Sequence, residues 1–119
     1  MSYRIENPES YQGKVVDNGE CVRFVQSLAR MPQTKNWSPG QYVKTASYIA
    51  PGTVIATFVD GHYPKDDHGK HAAVYIRHDD FGIDVWDQSA GHPVARRTIR
   101  YKEGDQYRSN DGDTFYVVE

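Results

Sequence analysis

The chain has 119 residues, of which 38% are hydrophobic and 25% charged, a composition typical of soluble globular proteins. Its length predicts one domain over residues 1–119 with a core of modest size. The net charge is -2, and the densest basic stretch, Arg96, Arg97 and Arg100, is followed at once by Glu103 and Asp105. This charge pattern argues against a nucleic-acid partner.

The start of the chain and its hydropathy bear on where the protein acts. Residues 1–8 lack the charged start and apolar stretch of a signal peptide, and no apolar run approaches the length of a membrane span. With a single cysteine, no intrachain disulfide can form, which fits synthesis in a reducing cytosol. We expect synthesis in the cytoplasm without a signal peptide, and export by a route that reads no cleaved signal.

The first regular element that the sequence predicts is a helix. Asp17 is its expected N-cap, and Glu20 follows at the capping-box spacing. Residues 1–16, which precede the helix, are expected to be irregular. The helix is expected to stop near Met31 and Pro32. Its buried face is predicted from four apolar residues, Val22, Phe24, Val25 and Leu28.

The rest of the chain is predicted to form strands. Five are expected, over residues 53–59, 71–77, 82–87, 96–101 and 114–118. Residues 41–49 can be read as a short helix or as an extended piece, and the loops 32–41 and 60–70 are expected to shape a substrate cleft. The pattern predicts an α+β fold in which the N-terminal helix packs on an antiparallel sheet of about five strands.

Cys21, the only cysteine, lies in the first turn of the predicted helix. The positive end of the helix dipole favours the thiolate there, whereas the neighbouring carboxylate of Glu20 opposes it. The alternative is a structural role as a small buried side chain on the helix face.

His71 is the most promising of the five histidines because it alone opens a strand of small and branched residues. Strand alternation puts His71, Ala73 and Tyr75 on one face. We expect the small Ala73 to leave room for the helix that carries Cys21. The alternative is a histidine at the strand edge with no catalytic task.

An acid that orients the imidazole is expected on the following strand. Asp87 ends a row of apolar residues with Ile83 and Val85, so it is the acid expected to be buried and bonded to the imidazole. Asp84 faces the other way and is the reserve candidate. Asp87 could instead cap the turn at residues 89–91.

Metal binding has weaker support. His62 and His68 lie near Asp66 and Asp67, but their spacing matches no familiar zinc pattern. The Asp111–Asp113 stretch is too short for a calcium loop. We therefore predict neither a metal site nor a cofactor.

Four segments carry a resemblance to a known family: residues 18–22 with Phe24 following, residues 52–58, residues 71–76 and residues 86–88. Together they resemble the NlpC/CHAP superfamily of papain-like cysteine peptidoglycan hydrolases, over residues 12–118. Within it, the small size and the missing signal peptide look most like the amidase effectors of type VI secretion systems.

The resemblance implies an antibacterial toxin that cleaves peptide bonds of the peptidoglycan stem or cross-link in the periplasm of a competing bacterium. It also implies a cognate immunity protein. Cys21 would be the nucleophile, His71 the base and Asp87 the orienting acid, with the Cys21 backbone amide and an unidentified second group holding the oxyanion. Two alternatives stay open: a transferase or deamidase that forms the same thioester, and a degenerate papain-like domain that only binds.

Overall fold

The computed structural model describes residues 1–66, 69–102 and 107–119. Within them, one α-helix packs on one six-stranded antiparallel sheet, and several short 3-10 turns connect these elements. The elements are α1 Cys21–Ala29, β1 Pro39–Tyr42, β2 Val54–Thr57, β3 Ala72–His78, β4 Gly82–Ser89, β5 His92–Arg100 and β6 Phe115–Val118. No helix in these ranges has the length and apolar character that a membrane crossing requires.

The start of α1 differs from the prediction. The helix begins at Cys21 with Glu20 as N-cap, and no side chain caps it. Asp17 and Gly19 have φ angles of 56° and 89°, so the chain makes a left-handed turn where the first helical turn was expected. The Asp17 carboxylate therefore binds Arg23, at 3.1 Å, and forms no capping box. As a result, Cys21 occupies the first helical position.

The sheet has one strand more than the sequence indicated. Its order is β1-β6-β2-β3-β4-β5, which puts β1 at an edge. The Pro39–Gly40 pair that opens β1 has the composition of a loop, yet an edge strand tolerates proline because one side needs no hydrogen bonds. The last strand in sequence, β6, lies inside the sheet between β1 and β2.

Apolar residues cover both faces of the sheet. On one face, Phe24 and Val25 of α1 pack with Ala72 and Val74 of β3. On the other, Ala73 packs in a cluster with Ile83, Val85, Val43 and Ile49. The expectation that Ala73 makes room for the helix was therefore wrong, because the helix lies on the face of Ala72.

Candidate active site

Cys21, His71 and Asp87 converge at one end of the sheet. Cys21 opens α1, His71 immediately precedes β3, and Asp87 lies near the end of β4, which pairs with β3. The His71 ring lies beside the Cys21 thiol on one side, close enough to favour its charged form. On the other, its Nε2 lies 2.7 Å from Asp87 Oδ2. The histidine and the carboxylate are each only 6% exposed, so the thiol, imidazole and carboxylate form one largely desolvated chain of contacts.

Asp87 also binds an arginine. Arg97 Nε donates to the same oxygen, Oδ2, at 2.7 Å, and Arg97 Nη2 lies 3.3 Å from His71 Nε2. The carboxylate is thus shared between an imidazole and a guanidinium. In the sequence, Arg97 stands out only as part of a basic stretch, because its approach to Asp87 depends on the register in which β5 pairs with β4.

Asp84, the reserve candidate, lies elsewhere. Its carboxylate accepts hydrogen bonds from Thr98 at 2.6 Å, Arg77 at 3.2 Å and Arg96 at 3.3 Å. These partners form an exposed charge network on the β3–β5 surface, so Asp84 is not part of the site.

The pKa of the Cys21 thiol is lower than its usual value. Burial alone would raise it, but the hydrogen bond to His71, the charge of that ring and two backbone N–H groups, of Ala72 and Val22, outweigh burial. These N–H groups point at the sulfur and favour its charged form. Glu20, which was expected to oppose the thiolate, has an exposed side chain whose charge water screens.

The pKa of His71 moves the opposite way, to about 9. Burial lowers it, but the hydrogen bond to Asp87 and the contact with Cys21 raise it by more. For Asp87, burial raises the pKa, but His71 and Arg97 lower it by more than burial raises it, so the carboxyl stays ionised. The site therefore favours a thiolate, an imidazolium and a carboxylate.

Gln88 fixes the backbone ahead of the thiol. Its side chain is 1% exposed; Oε1 accepts from Val16 N–H at 2.9 Å, and Nε2 donates to the carbonyl oxygens of Val16 and Glu20 at 2.7 and 3.0 Å. Strand β4 thus holds the acid on one face and the start of the nucleophile helix on the other. The one feature of the sequence that could have pointed to Gln88 is its position, as a polar residue that continues a strand beyond the apolar stretch.

Cys21 and His71 line a cleft of about 680 Å³. The loop between β2 and β3 contributes Tyr63, Lys65 and Lys70, and Thr34 comes from the loop before β1, as the sequence predicted for these two loops. Among the described residues, no three His, Cys, Asp or Glu side chains are grouped to hold a metal ion. Of the histidine–aspartate cluster noted in the sequence, Asp67 and His68 lie outside the described residues.

The site has a thiol at the start of a helix, a histidine beside it on an antiparallel sheet, and an acid on the next strand that is hydrogen-bonded to the histidine. This arrangement defines a papain-like cysteine hydrolase. The chain matches the family described as domesticated amidase effector 2 over residues 1–118 and belongs to it.

Individual relatives agree with this assignment. The type VI secretion amidase effector 2 protein of Salmonella typhi is 34% identical over 133 residues, with 100% of both chains covered. Domesticated amidase effector 2 of Ixodes scapularis is 37% identical over 121 residues, covering 95% of this chain and 82% of the relative. The solved structure of type 6 secretion amidase effector 2 (Tae2) superposes with a TM-score of 0.89 at 34% identity, covering 98% of this chain and 94% of the other. The predicted α+β fold and the resemblance to amidase effectors are confirmed.

Proposed function

We propose that the protein is a cysteine amidase that hydrolyses peptide bonds of bacterial peptidoglycan, with Cys21 as nucleophile, His71 as proton carrier and Asp87 as orienting acid. The observation that supports these roles is the chain of contacts from the lone thiol through a buried imidazole to a buried carboxylate, at the wall of an open cleft. Membership of an amidase effector family supports the choice of an amide bond as substrate.

Acylation uses the ion pair directly. Because Nε2 of His71 is bonded to Asp87, the ring nitrogen that faces Cys21 is Nδ1. The thiolate attacks the carbonyl carbon, a C–S bond forms, and the π electrons of the carbonyl move onto oxygen. When this oxyanion collapses, the C–N bond breaks and the departing amine takes the proton from Nδ1. The products of this half are a free amine and a thioester on Cys21.

In hydrolysis of the thioester, Nδ1 of His71 accepts a proton instead of donating one. Water attacks the thioester carbonyl while neutral His71 accepts a proton at Nδ1. Collapse of the second oxyanion breaks the C–S bond, releases a carboxylic acid and restores the thiolate beside the imidazolium. Asp87 stabilises the imidazolium and keeps the ring in place through both halves.

One donor to the oxyanion follows from the position of Cys21. The first N–H groups of a helix have no partner within it, and they lie at the positive end of the helix dipole. Since Cys21 is the first helical residue, its backbone N–H can donate to the carbonyl oxygen of a substrate bound to its own sulfur.

Digestion of purified peptidoglycan tests the proposal. The wild-type protein should release new amino groups, whereas Cys21→Ala should release none and keep its fold, because the change removes one sulfur atom from a partly exposed position. Asp84→Asn, outside the site, should cleave like the wild type. Ammonia without new amino groups would indicate a deamidase, and binding without release a degenerate domain; either result would contradict an amidase.

We also propose that the site of action is the periplasm of a target bacterium and that the producer carries an immunity protein. The support is the relative in Salmonella typhi, which is named as a type VI secretion effector. Directing the protein to the periplasm of a host bacterium with an added secretion signal should lyse the cells, whereas cytoplasmic expression should not. Lysis should stop when a co-expressed immunity protein binds the cleft.

A further inference from the structure

Tyr63 reaches the wall of the cleft from the loop between β2 and β3. Its ring packs edge-on against Trp37, at 5.0 Å between ring centroids, and against Phe58, at 6.5 Å. Trp37 is itself held, because its Nε1 donates to the carbonyl oxygen of Pro32 at 3.0 Å. Two buried aromatic neighbours therefore fix the direction in which the Tyr63 hydroxyl points.

The hydroxyl of Tyr63 is buried, yet it has no hydrogen-bond partner among the described residues. The thiol of Cys21 lies close enough for its negative charge to act on this hydroxyl. Burial, and then the negative charge of Cys21, raise the pKa of Tyr63, so the hydroxyl keeps its proton and can act only as a neutral donor. Buried polar groups in proteins nearly always have a partner, so a fixed, unpaired donor beside a nucleophile calls for a ligand.

We propose that the Tyr63 hydroxyl is the second oxyanion donor, acting with the backbone N–H of Cys21; this rests on the proposed amidase function. The carbonyl oxygen of a substrate attacked by Cys21 lies within one bond of the carbon joined to the sulfur, and thus within reach of groups that surround the sulfur. The N–H groups of Val22 and Ala72 are directed at the sulfur itself. The Tyr63 side chain is part of the cleft wall beside that sulfur.

The chemical role is electrostatic. As the C–S bond forms, negative charge moves from the sulfur to the carbonyl oxygen, and the hydrogen bond from Tyr63 strengthens as that charge develops. The tyrosine neither gains nor loses a proton in either half of the reaction. Because Trp37 and Phe58 hold the ring before substrate arrives, the donor needs no reorganisation in the transition state.

Tyr63→Phe is the direct test because it keeps the packed ring and removes only the oxygen. Removing one oxyanion donor lowers kcat by about 10²-fold or more and leaves KM little changed, and we expect this for release of amines from peptidoglycan. Tyr116→Phe is the matched control: its ring also packs on Phe58, at 6.1 Å, but does not line the cleft. A Tyr63→Phe protein with the kcat of the control would overturn the proposal.

A second measurement separates oxyanion binding from simple stabilisation of the thiolate. The rate of Cys21 alkylation by iodoacetamide, followed against pH, reports the thiolate in the absence of an oxyanion. We expect the midpoint in Tyr63→Phe to stay near that of the wild type while kcat falls at every pH. A raised midpoint, with activity recovered at high pH, would mean that Tyr63 serves only the resting thiolate and would contradict the proposal.

Acylation of Cys21 by p-nitrophenyl acetate keeps this test independent of peptidoglycan. The ester forms the same type of oxyanion on any reactive thiol site, so Tyr63→Phe should slow the burst of p-nitrophenol and Cys21→Ala should abolish it. If the wild type showed a Tyr63-dependent burst but left peptidoglycan intact, the proposed substrate would fail and the oxyanion donor would stand. A burst that does not depend on Tyr63 would overturn the donor alone.

Discussion

At the scale of single residues, one carboxylate oxygen organises the site. Asp87 Oδ2 accepts from both His71 and Arg97 at 2.7 Å, although Arg97 is the more exposed of the two cationic groups. The two partners act on His71 in opposite senses. The carboxylate favours the imidazolium by a direct hydrogen bond, whereas the guanidinium, 3.3 Å from Nε2, disfavours a second positive charge.

Asp87→Asn measures how far the carboxylate raises the pKa of His71. In the proposed mechanism His71 must carry a proton to release the amine, so kcat/KM should fall as the pH rises through the His71 pKa of about 9. The substitution removes the charge that raises this pKa and leaves the burial that lowers it. The basic limb of the kcat/KM profile should therefore move below pH 9, while Asp84→Asn leaves it in place. If the basic limb of Asp87→Asn stayed at the pH of the wild type, Asp87 would not be the group that raises the pKa of His71.

The positive charge of Arg97 is expected to lower the pKa of His71, the opposite of the effect of Asp87. Arg97→Met keeps much of the side-chain volume and removes the positive charge beside the imidazole. It also frees Asp87 Oδ2 for His71 alone, so the basic limb of kcat/KM should move to a pH above that of the wild type. Arg96→Met is the control, because Arg96 binds Asp84 on the exposed network. A shift to lower pH would show that Arg97 acts mainly by holding Asp87 in position.

Residue types and local patterns were enough to choose Cys21, His71 and Asp87, and the structure brings these three together. Their catalytic roles stay predictions. The places of Tyr63 and Arg97 in the site could not be predicted, because neither residue has a local signature. The first is an aromatic residue in a polar loop, whose position depends on packing against Trp37, and the second reaches Asp87 only through strand register.

At the scale of elements, the approach to α1 decides where the thiol sits. The positive φ of Gly19 turns the chain just before the helix, and Gln88 of β4 fastens the residues on both sides of that turn. The capping-box pattern at Asp17 misplaced the helix start by about one turn because the tertiary hydrogen bonds of Gln88 outweigh a local cap. Local sequence carries no information about such a distant partner.

Gly19→Ala tests whether this turn positions the nucleophile. A Cβ at φ 89° is strained and costs about 1–2 kcal/mol of stability, and it would meet Val15 Cγ1 at 3.4 Å. Gly13→Ala carries the same backbone strain, at φ 81° with open space around its Cβ, so its loss in urea unfolding should be similar. Only Gly19→Ala should also lower kcat. Equal activity of the two variants would show that the turn has a structural role alone.

At the scale of the whole molecule, β6 ties the sheet together. It pairs with β1 on one side and β2 on the other, and its Phe115 is fully buried and lies 6.3 Å from the His71 ring. The α+β class and five of the six strands could be predicted because their apolar residues alternate or run together. The strand β1 could not, since a four-residue edge strand that begins with Pro-Gly is defined by its partner rather than by its own composition.

Phe115→Ala should therefore be costly. Truncating a fully buried phenylalanine costs about 3–5 kcal/mol, a large part of the 5–15 kcal/mol that stabilises a typical domain. Phe81→Ala is the matched control, because Phe81 is 57% exposed and its ring lies against the Arg100 guanidinium, with 4.1 Å between Cζ and the ring centroid. It should change the free energy of unfolding, measured in urea, by about 1 kcal/mol or less. Comparable losses in the two variants would contradict the central position of β6.

The central position of β6 has a consequence for biosynthesis. Of the six strands it is the last to leave the ribosome, yet it must insert between two that emerged earlier, and its pairing with β1 joins residues as far apart as Pro39 and Val118. Such long-range pairing makes sheet formation slow. Until it is complete, β2 has an open edge and the ring of His71 lacks its neighbour Phe115. In a nascent chain of this topology the site therefore lacks part of its packing, and its assembly is complete only after the last of the six strands has been translated.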